Sequence, residues 1–212
     1  MQRCIKIFMT SLLLFSGVMP QGFKLPSKGI QHFNLRDSLG RNQATFFSEA
    51  RYENITGLAN DVWGEVSFDP RDIKSTLKGE VSISVASLKT GIEKRDEQLQ
   101  GLMWLNSEKY PHITFRIRDI LNIYQIDDDM IKISLTGDFT LRGLTKIIYA
   151  SATIKYLPEN EFTKTIRPGD LINIVANFEI NLSDFRINNS FIGNRVSDNI
   201  KISANLVGSN AE

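Results

Sequence analysis

From Gln43 to Leu206 most of the chain alternates apolar and polar residues with period two, the pattern of strands with one buried face. The clearest runs are Gln43–Ala50, Val62–Phe68 and Leu77–Leu88, then strands built on Ile113, Phe115 and Ile117 and on Ile131 to Leu141. Further runs hold Ile148 to Ile154, Ile172 to Leu182 and Ile200 to Leu206. Asp69-Pro70, Asp127–Asp129, Gly143 and Arg167–Asp170 read as the turns between them. The alternation stops between Ser87 and Phe115. There a charged, helix-compatible stretch, Gly91 to Gln100, leads into the apolar cluster Leu102, Met103, Trp104 and Leu105. A segment of that kind suits a lid, wet on one face and covering an apolar interior with the other.

The pattern predicts an all-β fold, a single antiparallel barrel of about eight strands with a short helical lid between early and late strands. Closure gives every strand a place to bury its apolar face and leaves no exposed edge. An eight-stranded barrel either fills with side chains or holds one small ligand. Several runs exceed the usual strand length of about six residues, so the barrel is expected to be tall enough for an elongated guest. Phe46, Phe68, Phe115, Phe139 and Phe178 fall on the inward faces of different strands. Rings in those positions fill a core or line a cavity, and alternation does not choose between the two.

Charge and leader sequence narrow the setting. The 212 residues carry 25 Lys plus Arg against 24 Asp plus Glu, with no long block of either sign, so no nucleic-acid footprint is expected. Arg3 and Lys6 precede an apolar run from Ile7 to Val18, a length that fits a secretory signal better than a membrane span. We expect a signal peptide over residues 1–22, cleaved near Gly22, and one barrel domain over 23–212 with no integral membrane segment. Cys4 lies before the apolar run, so the mature chain would contain neither thiol nor disulfide.

Catalysis has little to stand on. The histidines are His32 and His112, no metal-ligand spacing occurs, and Asp127-Asp128-Asp129 lacks the staggered ligands of a calcium loop. There is no glycine-rich phosphate loop and no nucleophile elbow. No cofactor, no metal site and no catalytic residue is expected. Arg95 and Asp96 on the lid read as a salt-bridged pair or, for Arg95, as a contact for a polar headgroup; Tyr110 and Lys146 share the second reading.

Several pieces of the chain resemble the YceI-like family, secreted bacterial proteins with a lipocalin-like barrel. They are S-L-K-T-G at Ser87–Gly91, R-D-x-x-L at Arg95–Leu99, W-L at Trp104–Leu105 and K-Y-P-x-I-T-F at Lys109–Phe115. Arg41–Ser48, Val62–Pro70, Gly137–Lys146 and Phe178–Phe185 add matching strands in the same order. Gln98 stands where family members often carry His, so any ligand or proton role of that His is missing here. The resemblance implies a periplasmic or secreted binding protein for a hydrophobic small molecule: a polyisoprenoid, a quinone or a fatty acyl derivative. The expected walls are Phe46, Phe68, Val81, Ile83, Phe115, Ile117, Phe139, Leu141, Ile174, Phe178 and Ile180, closed by Leu99, Leu102, Trp104 and Leu105. A homodimer is left open. The rival readings are a filled barrel acting as a stress or interaction module, and an enzyme acting on a lipid.

Overall fold

A computed structural model describes residues 21–26 and 28–211. The expected signal segment lies outside the described residues except for Gln21 and Gly22. Ten strands are present: β1 (Gln31–Asn34), β2 (Gln43–Glu49), β3 (Asn54–Ala59), β4 (Val62–Phe68) and β5 (Lys78–Ser84), followed by β6 (His112–Asp127), β7 (Met130–Leu141), β8 (Leu144–Leu157), β9 (Leu171–Asn181) and β10 (Asn199–Ser209). Three short helices, α1 (Ile73–Thr76), α2 (Glu93–Gln100) and α3 (Glu161–Ile166), join them.

All pairings between these strands are antiparallel. β1 and β4 to β10 form a closed eight-stranded barrel, because β1 pairs with β4 on one side and with β10 through Asn34 and Ser209 on the other. The β2–β3 hairpin adds to the other half of β10, from Ile200 opposite Ser48 to Asn205 opposite Gln43. Leu58 of β3 and Lys89 then exchange two backbone hydrogen bonds of 2.8 Å. The lid end is thus closed by β2 and β3, and the opposite end by β1.

β7 shows why the sequence pattern folds this way. Ile131, Ile133, Leu135, Phe139 and Leu141 are buried, while the residues between them are more exposed except Thr136 and Gly137. Arg142 and Gly143, at φ 51° and 73°, make the two-residue turn into β8 whose twist matches the strands. A Cβ on Gly143 would sit 2.6 Å from the Tyr110 ring, so glycine is required there for space as well as for φ.

Four expectations need adjustment. β1 and β3 are strands too short or too weakly patterned to announce themselves. The run Leu77–Leu88 is strand only to Ser84 and then tightens into a 3₁₀ turn, Val85–Ser87. The lid helix starts at Glu93. The β8–β9 connection, expected as a tight turn at Arg167–Asp170, instead carries α3, whose Asn160 and Thr163 form a reciprocal capping box.

The end away from the lid is solid. Phe33 stacks on Phe68 at 5.1 Å; Tyr156 packs against both rings at 5.9 and 6.2 Å, and Phe23 packs against Phe68 and Tyr156 at 6.1 and 5.6 Å. Beside them the buried Asp170 carboxylate accepts from Lys28 Nζ at 2.7 Å, from the Glu159 amide at 2.8 Å and from the Tyr156 hydroxyl. Burial alone would raise the pKa of Asp170, but these three donors hold its carboxyl below the usual range. The Tyr156 phenol is pushed up by burial and by the carboxylate it donates to.

Candidate functional site

The lid end holds a chamber of about 210 Å³. Its walls come from inward positions one turn of the pleat apart: Phe46 on β2, Ile113 on β6, Phe139 and Leu141 on β7, Ile180 on β9, and Ile200 and Ile202 on β10. Ile55 and Leu88 complete them. Leu99 from α2 and Trp104 and Leu105 from the following turn close it above. Phe191, Arg195 and Val196, from the loop between β9 and β10, close the side. Polar groups are confined to Ser48, Glu53, Thr90, Arg95, Gln98 and Arg195.

The floor is aromatic. One layer below the chamber Phe115 and Phe178 stack at 5.6 Å, and Phe178 meets Phe139 edge-on at 5.5 Å. A Cβ on Gly137 would fall 2.2 Å from the Phe115 ring, so the glycine makes room for this layer. This aromatic layer bounds the chamber on the side that faces the plug. At about 210 Å³ the chamber is smaller than the roughly 300–1,000 Å³ of drug-sized ligand pockets.

The lid is tied down by a polar chain. Asp96, 6% exposed, accepts from the Thr90 amide and the Thr90 hydroxyl, each at 2.6 Å. Burial opposes the charge on Asp96, yet the two Thr90 bonds, with Lys89 and Arg95 nearby, keep its carboxyl below the usual range. All three Arg95 nitrogens donate: Nε to Thr90 Oγ1 at 2.9 Å, Nη2 to the Thr90 carbonyl at 3.2 Å and Nη1 to Glu53 at 3.3 Å. Arg142 reaches the carbonyls of Leu102 and Arg186 at 2.9 and 2.8 Å, joining the lid turn to the 3₁₀ segment Leu182–Phe185 and its cap.

Of the residues expected at the site, Phe46, Leu99, Trp104, Leu105, Phe139, Leu141, Ile180 and Arg95 meet in the chamber wall. The others lie elsewhere. Phe68 belongs to the aromatic plug at the far end. Phe115 and Phe178 form the floor layer, and Val81, Ile83, Ile117 and Ile174 pack into the core outside the chamber. Leu102 is 72% exposed, because the chain leaves helical geometry at Gly101 and turns Trp104 and Leu105 inward instead. Tyr110 lies under Gly143 with Lys109 Nζ 5.3 Å from its ring. Lys146 is exposed, in an outer groove with Asp184 and Phe185. His112 is also exposed, edge-on to Trp63 at 5.2 Å. Among the described residues no group of three His, Cys, Asp or Glu is placed to hold a metal ion. No helix among them is long and apolar enough to cross a membrane.

The contributions of Phe191, Arg195 and Val196 were not expected. They sit in an irregular loop whose form comes from backbone bonds, Arg195 and Val196 both donating to the Phe191 carbonyl at 2.9 and 3.1 Å. Such a loop has no period, so no pattern marks its inward residues.

A closed antiparallel barrel with an apolar, lidded chamber and a sparse polar rim defines a class: small β-barrels built around an internal apolar site. Residues 38–208 match the family model described as the YceI-like domain, and the chain belongs to that family. It is 31% identical over 103 residues to Protein YceI of Escherichia coli O157:H7, covering 49% of this chain and 50% of that protein. The chain thus aligns with about half the length of that curated relative. A Campylobacter jejuni YceI crystal structure superposes with a TM-score of 0.59 at 27% identity, over 77% of this chain and 89% of the other. A polyisoprenoid binding domain from Saccharophagus degradans, implicated in plant cell wall breakdown, superposes with a TM-score of 0.58 over 85% and 98%. At 12% identity, that last likeness bears on the fold alone.

Proposed function

We propose that the protein is an exported binding protein, periplasmic or secreted, that takes the apolar tail of an amphiphile into the lid-end chamber. The observation that carries this reading is the chamber itself: an almost wholly apolar wall, closed by Leu99, Trp104 and Leu105, with few polar groups. The apolar walls support that ligand class, and the Saccharophagus domain named as polyisoprenoid binding shares the fold. Each methylene buried contributes about 0.8 kcal/mol, so roughly ten carbons supply about 8 kcal/mol before ordering costs. No catalytic group is needed for that task. The aromatic floor favours a short or medium tail, or the terminal part of a longer isoprenoid, quinone or acyl chain.

The test is native mass spectrometry of the mature protein purified without detergent, followed by organic extraction. A stoichiometric apolar adduct is expected, and Trp104→Glu should lose it while staying folded. The reading fails if wild-type protein is empty and takes up no quinone, polyisoprenol or fatty acid on challenge. It also fails if Trp104→Glu retains the adduct at full occupancy.

A further inference from the structure

The rim of the chamber carries three charged side chains, Glu53, Arg95 and Arg195. Two of them are committed to each other. Arg95 is 24% exposed, each of its nitrogens is already donating, and Glu53 is its carboxylate partner at 3.3 Å. The Thr90 atoms that Arg95 uses are fixed in turn by Asp96. Arg95 therefore works as a clasp holding α2 to the barrel. A ligand headgroup that recruited it would have to break the Glu53 pair.

Arg195 is different. Its backbone amide is bonded to the Phe191 carbonyl, which fixes the loop, but among the described residues its guanidinium pairs with no carboxylate and donates to no carbonyl. Asp198, nearby in sequence, is engaged by the Ser183 amide and hydroxyl at 2.8 and 2.7 Å. The mouth of an apolar chamber is thus left with one positive charge that the protein does not neutralise. A guanidinium presents a planar fork of donors that fits carboxylate and phosphate oxygens.

Resting on the reading of the chamber as an amphiphile site, we propose that Arg195 receives the ligand's headgroup and that this headgroup is anionic, a carboxylate or a phosphate monoester on an apolar tail. The tail supplies affinity without specificity, because smooth apolar walls accept any chain of suitable length. Arg195 supplies the discrimination, and it does so from an exposed loop position, so the preference is subject to salt.

The experiment compares dodecanoic acid, dodecyl phosphate and dodecanol on the mature protein by titration calorimetry at neutral pH and low salt. The variants are Arg195→Gln, Arg195→Lys and Arg95→Gln. Wild type should bind one or both anions about tenfold more tightly than the alcohol, the order expected for a charge-assisted hydrogen bond at a partly wet site. Which anion gains more identifies the headgroup source. Arg195→Gln should remove the preference for the anions over the alcohol. Arg195→Lys should keep part of it, and Arg95→Gln should weaken all three ligands together by loosening the lid. The proposal is overturned if wild type binds alcohol and anions equally, or if Arg195→Gln preserves the preference. Binding of none of the three would instead bring down the amphiphile reading beneath it, and the proposal with it.

Discussion

The two ends of this barrel are built from the same strand pattern and come to opposite results. At the far end Phe23, Phe33, Phe68 and Tyr156 meet in a plug of ring contacts, and Asp170 binds the surrounding segments together. At the lid end Phe46 and Phe139 occupy equivalent inward positions but face a chamber. The difference lies in what covers each mouth. The far end receives Phe23 from the segment before β1, held by its amide to the Pro70 carbonyl, and Phe33 from β1 itself. The lid end receives a short helix whose apolar face is narrow, so Leu99, Trp104 and Leu105 roof the space without filling it. Whether a barrel packs or binds is decided here by its closures, with the strand faces alike.

The largest test of that contrast is Phe68→Ala. A fully buried ring with three aromatic partners should cost about 3–5 kcal/mol in chemical denaturation. Ligand affinity should stay unchanged wherever the variant remains folded, since Phe68 is remote from the chamber. A loss of ligand binding by the folded variant would show that the two ends are coupled.

The same contrast explains what the sequence could and could not disclose. Period-two alternation identifies the face of each inward residue, so the barrel, its longer strands and the set of inward phenylalanines were legible, while the short β1 and β3 were not. Alternation carries no information on height along the barrel. Phe46, Phe115 and Phe68 look alike in sequence, yet they occupy the chamber wall, the floor layer and the plug. Height depends on register between strands, and β6 shifts register against β7 at three places, near Ile117, Ile120 and Gln125. Leu102 and Trp104 were equally apolar candidates for the lid, and only the turn after Gly101 decides that one faces water and the other the chamber. Arg195 was invisible because an irregular loop places it.

A mid-sized effect is expected at Asp170. Its carboxyl is held below the unfolded value, so its stabilising contribution is complete above that value, near pH 4, and is lost as pH falls through the folded one. Asp170→Asn should cost about 2 kcal/mol at neutral pH, discounted because Lys28 is 48% exposed. It should also flatten the acid limb of a stability-versus-pH profile. An unchanged acid limb would mean that the plug is held by its rings alone.

The smallest expected effect is the most discriminating. Thr90→Val removes the hydroxyl that links Asp96 to Arg95 but keeps the Thr90 amide bond and the side-chain volume. The cost should be about 1–2 kcal/mol, the value of a hydrogen bond to a buried charge that keeps a second donor. If the lid end is a separate, less stable unit, that cost should surface as local opening. Native-state hydrogen exchange would then speed up over residues 93–105, and ligand would dissociate faster, with little change in the strands around Phe68. If exchange instead rises across β1, β4 and β8 as well, lid and plug unfold as one cooperative body. The chamber would then be an unfilled part of a single core, and its roof would not open to admit a ligand.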